Sequence, residues 1–248
     1  MILDISKYPN AFDEPDLLRW NLTNEKIVQM VCNYPIELIY KTDPLLSDGT
    51  ILNKDNNSFE KNRNIPPYYI PLWDNLRKTG RIESQNRSWE MYYEYDGYFL
   101  YTDESKNIIN EIRSYQDFFK IRKHQDRIKK MKAKYQLAYP SLVRDINCYL
   151  LISENIKEFK VIYNNDLDHK EGIDILLINK IGKRIGLKLF ADTERSNGYS
   201  SKKDNRHGIF DDVDIFKIPF QIDFNNEDLQ LYGEKDLDKL RNILKDYL

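Results

Sequence analysis

The order of strand and helix patterns in the second half of the chain constrains its fold more than any other feature. Short apolar or alternating segments predict four β-strands, at Phe159–Tyr163, Ile173–Asn179, Arg184–Phe190 and Val213–Phe220. Amphipathic patterns predict a helix before them, from Tyr139-Pro140-Ser141 to Glu154, and another after them over Glu234–Leu248. A polar segment between the third and fourth strands is a loop or a helix. The predicted order is therefore helix, three strands, loop or helix, strand, helix.

The first half is rich in aromatic residues and has a different pattern. A short helix is predicted at Asn24–Met30 and a strand at Tyr34–Tyr40, before a polar loop over 43–66. Aromatic segments on both sides of Asp96-Gly97, Ser88–Tyr95 and Tyr98–Thr102, predict a β-hairpin. The aromatic side chains either form a core or stack on the bases of a nucleic acid.

The length of 248 residues suits one large domain or two small ones. The segment Ser105–Lys134 has no Gly or Pro and is predicted to be helical. We place a boundary on this helix, so that a smaller aromatic-rich domain of residues 1–130 precedes a second domain of residues 131–248. The predicted fold class is α+β for both domains.

Composition excludes several classes of protein. Cys32 and Cys148 are far apart, which excludes a zinc ribbon and a disulfide scaffold. The first residues lack the basic and apolar regions of a secretory signal, and no apolar stretch is long enough for a membrane span. We therefore expect a cytoplasmic protein with no membrane partner. The formal net charge of −2 excludes a globally basic nucleic-acid coat.

The charge is nevertheless distributed unevenly along the chain. From Lys120 to Lys134 there are eight Lys or Arg residues and one Asp, and from Lys180 to Arg206 there are eight and three acids. A helix as polar as the first segment is exposed, bridges two domains or lies along a polyanion. Cationic surfaces release counterions from phosphates, so we expect a nucleic-acid partner, with DNA favoured. The residues predicted to contact it are Lys129, Lys130, Lys132, Arg195, Lys202, Lys203 and Arg206.

Asp174 and Lys188 carry the strongest chemical signal. Asp174 precedes a short apolar run, which places it near the edge of the predicted sheet. Lys188 lies between two leucines, where strand alternation turns its side chain to the opposite face from both. Such a pair on neighbouring strands suits a metal-dependent phosphodiesterase. The carboxylate can bind Mg²⁺, while the ammonium orients water and stabilises charge on the phosphate.

Together with the order of elements, the motifs Gly172-Ile173-Asp174 and Gly186-Leu187-Lys188 resemble the PD-(D/E)xK, or restriction-endonuclease-like, nuclease superfamily. The resemblance covers residues 136–225 and implies an αβββαβ core in the C-terminal half. It implies Asp174 as the metal-binding acid and Lys188 as the catalytic lysine. The implied cofactor is Mg²⁺, with Mn²⁺ as the alternative, and the implied substrate is DNA.

The sequence departs from that pattern at Gly186, where the superfamily has an acid or Gln two residues before the lysine. Either another carboxylate replaces the missing one, or metal-dependent cleavage has been lost. Glu194 ranks first for catalysis and metal binding, because it shares the face of Lys188 if the strand continues. The other candidate metal ligands, in order, are Glu171, Glu154 and Asp145.

The leading hypothesis is a Mg²⁺-dependent DNA endonuclease of the restriction or phage-defence kind. The alternative is a catalytically inactive protein of the same fold that serves as a nucleic-acid-binding or assembly subunit. A homodimer or a larger defence complex is compatible with both hypotheses.

Overall fold

A computed structural model shows two compact units. The residues it describes are 1–32, 34, 68–94, 96–103, 108–114, 125–192, 209–223, 225–226 and 228–247. One unit, which we call the sheet unit, comprises Met1–Asn33 and Ser141–Leu248. The other, the hairpin unit, comprises Tyr34–Pro140. Apart from Tyr34, the predicted strand at Tyr34–Tyr40 and the predicted loop over 43–66 lie outside the described residues.

The described part of the chain contains seven α-helices and six strands. The helices are α1 (Pro15–Leu18), α2 (Asn24–Val31), α3 (Tyr69–Thr79), α4 (Gln85–Glu94), α5 (Gln125–Asn155), α6 (Asn165–Glu171) and α7 (Glu234–Leu244). The strands are β1 (Asp96–Asp103), β2 (Ile108–Ser114), β3 (Phe159–Tyr163), β4 (Ile175–Asn179), β5 (Arg184–Ala191) and β6 (Val213–Phe220). Short 3-10 helices occur at Ile5–Lys7, Ala11–Asp13 and Lys245–Tyr247. This mixture confirms the predicted α+β class.

Strands β3 to β6 form one mixed sheet in the order β3-β4-β5-β6. Neighbours among β3, β4 and β5 are antiparallel, and β6 is parallel to β5. The predicted strands Phe159–Tyr163 and Val213–Phe220 are confirmed to the residue. The other two strands and the helix that follows the sheet are confirmed with small changes at their ends.

Helix α6 is an addition to the predicted order. The Asn164 side chain caps its N-terminus by accepting hydrogen bonds from the backbone N–H groups of Asp166 and Leu167. Gly172 ends it in the left-handed conformation, at φ 69°. Because only two residues separate this glycine from β4, α6 fixes where the chain enters that strand.

The sheet has two faces with different surroundings. On the face that carries Lys188, which we call the lysine face, Leu176 of β4 is buried in an apolar cluster. The other members of this cluster are Leu3, Tyr8, Ile162, Leu167, Ile173, Phe210 and Val213. On the opposite face, Tyr149 of α5 packs against Tyr163 of β3, with ring centroids 6.1 Å apart. Both faces are therefore covered over part of the sheet.

The N-terminal residues belong to the sheet unit, so this division differs from the predicted domains 1–130 and 131–248. The Asn10 side chain accepts a hydrogen bond from the backbone N–H of Tyr163 at 3.1 Å. The Asn147 amide of α5 donates to the side chain of Asn24 at the start of α2. These partners are 123 or more positions apart, and local sequence patterns carry no signal for contacts at that separation.

In the hairpin unit, the predicted strand Ser88–Tyr95 is wrong, because Gln85–Glu94 form helix α4. Gln85, Ser88, Trp89 and Tyr92 are buried at i, i+3, i+4 and i+7, which is the spacing of a helical face. The strand propensity of Trp and Tyr led to the wrong prediction, and the burial of one helical face overrides it.

The observed hairpin pairs β1 with β2, and this corrects part of the helix predicted over Ser105–Lys134. The predicted strand at Tyr98–Thr102 is confirmed within β1, and Thr102 lies opposite Ile109. The β-branched residues Ile108, Ile109 and Ile112 of β2 favour a strand once a partner strand is present.

Aromatic rings form much of the core of the hairpin unit. Trp89 and Tyr92 of α4 and Tyr135 and Tyr139 of α5 are all buried. The ring centroids of Tyr92 and Tyr135 are 5.1 Å apart. This burial favours a core role for these rings over base stacking. The side chains of Tyr95, Tyr98, Phe99 and Tyr101 lie outside the described residues.

Helix α5 contains Pro140 in its interior, whereas the sequence predicts that a helix begins there. Proline lacks the N–H that bonds to the carbonyl four residues earlier, which is that of Gln136. The side-chain Nε2 of Gln85 replaces this donor and lies 2.7 Å from the Gln136 carbonyl oxygen. Because Gln85 satisfies the carbonyl, the helix continues through the proline.

No helix in the described ranges is both long and apolar enough to cross a membrane.

Candidate functional site

Asp174 is a buried residue immediately before β4. Its backbone N–H donates to the carbonyl of Leu187 at 3.0 Å. Its side-chain Oδ2 accepts a hydrogen bond from the backbone N–H of Leu189 at 2.6 Å. The residue is 5% exposed. Asp174 therefore forms hydrogen bonds to β5 on both sides of Lys188. The bond from Leu189 fixes the orientation of its carboxylate.

Lys188 lies on β5 between Leu187 and Leu189, the two residues that Asp174 contacts. The antiparallel register of β4 and β5 ends at the pair of Ile175 and Leu187, and the Asp174 N–H bonds to the carbonyl of that same Leu187. The Lys188 side chain is half-buried. The structure thus places the predicted acid against the two residues that flank the predicted lysine.

Gly186 lies where the resemblance calls for an acid, and apolar side chains surround it. A Cβ atom at this position would come within 2.5 Å of Ile215 Cδ1 and 3.3 Å of two Ile173 carbons. A carboxylate here would require Ile215 to move and would enter an apolar environment. Any second acidic ligand would therefore come from another position.

Two of the predicted substitutes are engaged in other contacts. Glu171 Oε1 accepts a hydrogen bond from the Tyr8 hydroxyl at 2.5 Å. Burial, together with this bond to Glu171, raises the pKa of Tyr8 to about 12. Glu154 Oε1 accepts from the backbone N–H of Asn24 at 2.7 Å, in the first turn of α2. These contacts indicate structural roles for both glutamates. Glu194, the first-ranked substitute, lies outside the described residues.

Asp145 is the predicted substitute that is buried, in contrast to Glu171 and Glu154. It lies on α5 and is 7% exposed. Burial raises the pKa of the Cys148 thiol well above its usual value, and the negative charges of Asp145, Asp236 and Asp174 raise it further. Burial likewise raises the pKa of Tyr232, and Asp145 and Asp174 contribute again. Both aspartates therefore act electrostatically on the same two side chains.

Two further polar side chains on the same turns of α5 are buried and were not predicted from the sequence as site residues. Arg144 donates from Nε to the carbonyl of Gln230 at 2.8 Å, and its guanidinium lies 4.7 Å from the ring centroid of Phe220. Asn147 Oδ1 accepts from the backbone N–H of Tyr232 at 2.7 Å. Arg144 and Asp145 are the two charged residues in the otherwise uncharged segment Leu142–Ile152, and this is the sequence signal that could have identified the region.

The donor set fits a hard divalent cation in part. Carboxylate oxygens are the ligands that Mg²⁺ prefers, and it often uses only one or two of them beside water and phosphate. Asp174 and Asp145 supply two such groups. Within the described ranges, no three His, Cys, Asp or Glu side chains come together as a metal site.

Most of the predicted DNA contacts cannot be placed. Arg195, Lys202, Lys203 and Arg206 lie outside the described residues. Lys129 and Lys130 are on α5, but their side chains are not among those that the structure describes. Lys132 is exposed on the same helix. DNA contact by these seven residues stays a prediction.

The chain was compared with models of protein families, with curated proteins and with solved structures, and none of the three comparisons gave a match.

Proposed function

We propose that this protein is a metal-dependent endonuclease that hydrolyses phosphodiester bonds in DNA, of the restriction or phage-defence kind. The proposed catalytic core is restriction-endonuclease-like and consists of α5, the sheet β3-β4-β5-β6 and α7. Three antiparallel strands followed by a parallel fourth strand support this assignment. The helix expected between β5 and β6 lies outside the described residues.

The observation that carries the proposal is the buried Asp174 carboxylate, which bonds to Leu189 N–H beside Lys188. Burial of a carboxylate is costly unless it is hydrogen-bonded or paired with a positive charge. An Asn side chain could accept the same hydrogen bond from Leu189 without that cost. The presence of a charged residue here therefore supports a role that needs the negative charge.

Asp174, with Asp145 or Glu194, would hold the metal ion. A bound divalent cation supplies Lewis acidity and a water of lowered pKa. Asp145 and Asp174 provide the negative charge that retains a cation, and the bond to Leu189 keeps the Asp174 carboxylate oriented. The helix and strand that carry these residues limit their movement.

Lys188 would act on the reacting phosphate. Water attacks phosphorus and forms a new P–O bond while the bond to the leaving sugar oxygen breaks. The attacking water loses a proton and the leaving oxygen gains one. The Lys188 ammonium stabilises the negative charge that develops on the phosphate oxygens and orients the attacking water.

A second candidate function is binding without catalysis, as a nucleic-acid-binding or assembly subunit. The surroundings of Gly186 favour this alternative, because the acid of the superfamily motif would displace the Ile215 side chain there. Salt-dependent binding to DNA without cleavage would be its signature.

Cleavage of plasmid DNA and of duplex oligonucleotides separates the two functions. We expect cleavage with Mg²⁺ or Mn²⁺, none with EDTA, and none by Asp174→Asn, which keeps an acceptor for Leu189 N–H. Asp238→Asn is the matched control, because Asp238 is an exposed acid on α7 that pairs with Arg241. Wild-type protein that binds DNA and never cleaves it would establish the binding function. Full activity of Asp174→Asn would refute the proposed site.

A further inference from the structure

Two consecutive residues near the N-terminus contact the short helix α6 at both of its ends. The Tyr8 hydroxyl donates a hydrogen bond to Glu171 Oε1 at 2.5 Å, and Glu171 is the last residue of the helix. At the other end, the Asn164 side chain caps the helix and donates from Nδ2 to the carbonyl of Pro9 at 2.8 Å. These two contacts hold α6 against the segment that contains Tyr8 and Pro9.

The chain that joins α6 to the candidate site is short. Only Gly172 and Ile173 separate this helix from Asp174. Gly172 is in the left-handed conformation, and glycine has more conformational freedom to lose on folding than any other residue. The backbone nitrogen of Ile173 lies 3.5 Å from the carbonyl oxygen of Leu167, which is long for an N–H···O bond. The position of Asp174 therefore depends on contacts that hold the end of α6 from outside the helix.

Tyr8 supplies such contacts through its ring as well as its hydroxyl. The residue is 6% exposed and belongs to the same apolar cluster as Ile173, which is fully buried. Side chains in a close-packed interior have little freedom to move, so the ring holds the hydroxyl in place. A hydrogen bond to a carboxylate such as that of Glu171 is stronger than one between neutral groups. Tyr8 thus restrains the last residue of α6 and the residue before Asp174.

We infer that Tyr8 is a positioning residue for the metal-binding carboxylate. Through Glu171, it sets where the chain enters β4 and so where Asp174 lies. The role of Asp174 as a metal ligand rests on the proposed function. Glu171, a predicted substitute for the missing acid, then acts on the site through this hydrogen bond and not as a ligand. A displacement of about 1 Å is enough to weaken a catalytic site strongly.

The test measures Mn²⁺ affinity by electron paramagnetic resonance, beside single-turnover DNA cleavage and the urea unfolding midpoint. Tyr8→Phe removes the hydroxyl and keeps the ring. We expect about 10-fold weaker Mn²⁺ binding by the folded variant, the low end of the cost of losing an outer-shell partner. A merely structural role would lower the unfolding midpoint and leave the Mn²⁺ affinity unchanged.

A second variant breaks the same hydrogen bond from the other side. Glu171 is half-buried, so Glu171→Ala disturbs the core less than a change at Tyr8 does. It should weaken Mn²⁺ binding by about the same factor of 10. The double variant should bind no more weakly than either single variant, because both substitutions remove one bond.

Two further variants serve as controls. Tyr247→Phe makes the same change at another tyrosine of the sheet unit, whose hydroxyl donates to Asp214 Oδ2 at 2.9 Å. It should keep the Mn²⁺ affinity of the wild type. Glu171→Gln keeps an oxygen that accepts from Tyr8, so it should recover most of the affinity that Glu171→Ala loses. A direct metal ligand would lose affinity in both variants.

The outcomes separate the inference from the proposed function. If the wild type cleaves DNA and Tyr8→Phe binds Mn²⁺ equally tightly, the inference alone is overturned. An equal loss of affinity in Tyr247→Phe, or in Glu171→Gln and Glu171→Ala, also overturns the inference alone. Weaker Mn²⁺ binding by Tyr8→Phe, in a protein that never cleaves DNA, supports the positioning role and overturns the nuclease function. A wild type without a Mn²⁺ site overturns both.

Discussion

The two units differ in the kind of polar side chain that they bury. In the described part of the hairpin unit, the buried polar residues are neutral: Gln85, Ser88 and Gln136. In the described part of the sheet unit, Arg144, Asp145 and Asp174 are buried as well as Asn147. A neutral amide such as Gln85 satisfies a backbone group at little cost, whereas a buried charge is expensive. The contrast places structural polar groups in one unit and the candidate chemistry in the other.

The largest expected effect is a loss of cleavage rate, without a loss of stability, when Lys188 is replaced. Lys188→Ala should lower the single-turnover cleavage rate by at least about 100-fold, because it removes the cation that stabilises phosphate charge. Its urea unfolding midpoint should stay close to that of the wild type. Arg184→Met is the comparison, since Arg184 on the same strand pairs with Asp212 and donates to the Leu3 carbonyl at 2.8 Å. It should lose about 2 kcal/mol of stability and keep its cleavage rate.

The account assigns a structural role to Arg184 and a catalytic role to Lys188. Loss of cleavage in a folded Arg184→Met variant, or normal cleavage by Lys188→Ala, would contradict it.

The next largest effect is expected at Gln85, a buried neutral residue of the hairpin unit. Gln85→Leu leaves the Gln136 carbonyl without its side-chain donor and should cost about 1–3 kcal/mol of unfolding free energy. Cleavage should continue at the wild-type rate in the folded protein, because Gln85 has no part in the proposed site. Chemical denaturation and single-turnover cleavage measure the two quantities.

A double-mutant cycle identifies the cause of that loss. Pro140→Ala restores a backbone N–H for the Gln136 carbonyl, so it should recover part of the stability lost in Gln85→Leu. A coupling of about 1 kcal/mol is expected, as for residues that share one hydrogen-bond acceptor. Strict additivity of the two substitutions would show that Gln85 does not replace the proline's missing donor.

The smallest effect concerns Tyr8 in the sheet unit. Tyr8→Phe removes the bond to Glu171 and should cost about 1 kcal/mol. The pKa of Tyr8 rises from its ordinary value of about 10 to about 12 on folding. Between those pH values the folded state keeps a proton that the unfolded state loses, so stability falls as the pH rises. The variant lacks this contribution, and its stability should fall less steeply over that range in alkaline urea titrations. Identical slopes would refute the raised pKa.

Local patterns predicted the sheet better than the hairpin unit, and the reason is physical. The apolar residues of Val213–Phe220 follow a pattern that is typical of a strand in a sheet, so the sequence alone predicts this strand. Gln85–Glu94 carries residues with strand propensity on a helical face, and propensity misled the prediction. The continuation of α5 through Pro140 depends on Gln85, a residue 51 positions from the carbonyl that it satisfies.

The candidate site could be predicted only in part for the same reason. Asp174 and Lys188 stand out locally, as an acid before an apolar run and a lysine between two leucines. Asp145 ranked last among the substitutes, since its burial and its effect on Tyr232 depend on tertiary packing.

Direct measurement of Mn²⁺ binding tests the central claim, that the buried carboxylates of the sheet unit hold a catalytic cation. Electron paramagnetic resonance counts free Mn²⁺ in titrations of the wild type, of Asp174→Asn and of the control Asp238→Asn, and it does not depend on DNA cleavage. We predict a Mn²⁺ site in the wild type that Asp238→Asn keeps and Asp174→Asn loses. A wild type without such a site, or an Asp174→Asn variant that binds Mn²⁺ as tightly as the wild type, would contradict the assignment of Asp174 as a metal ligand.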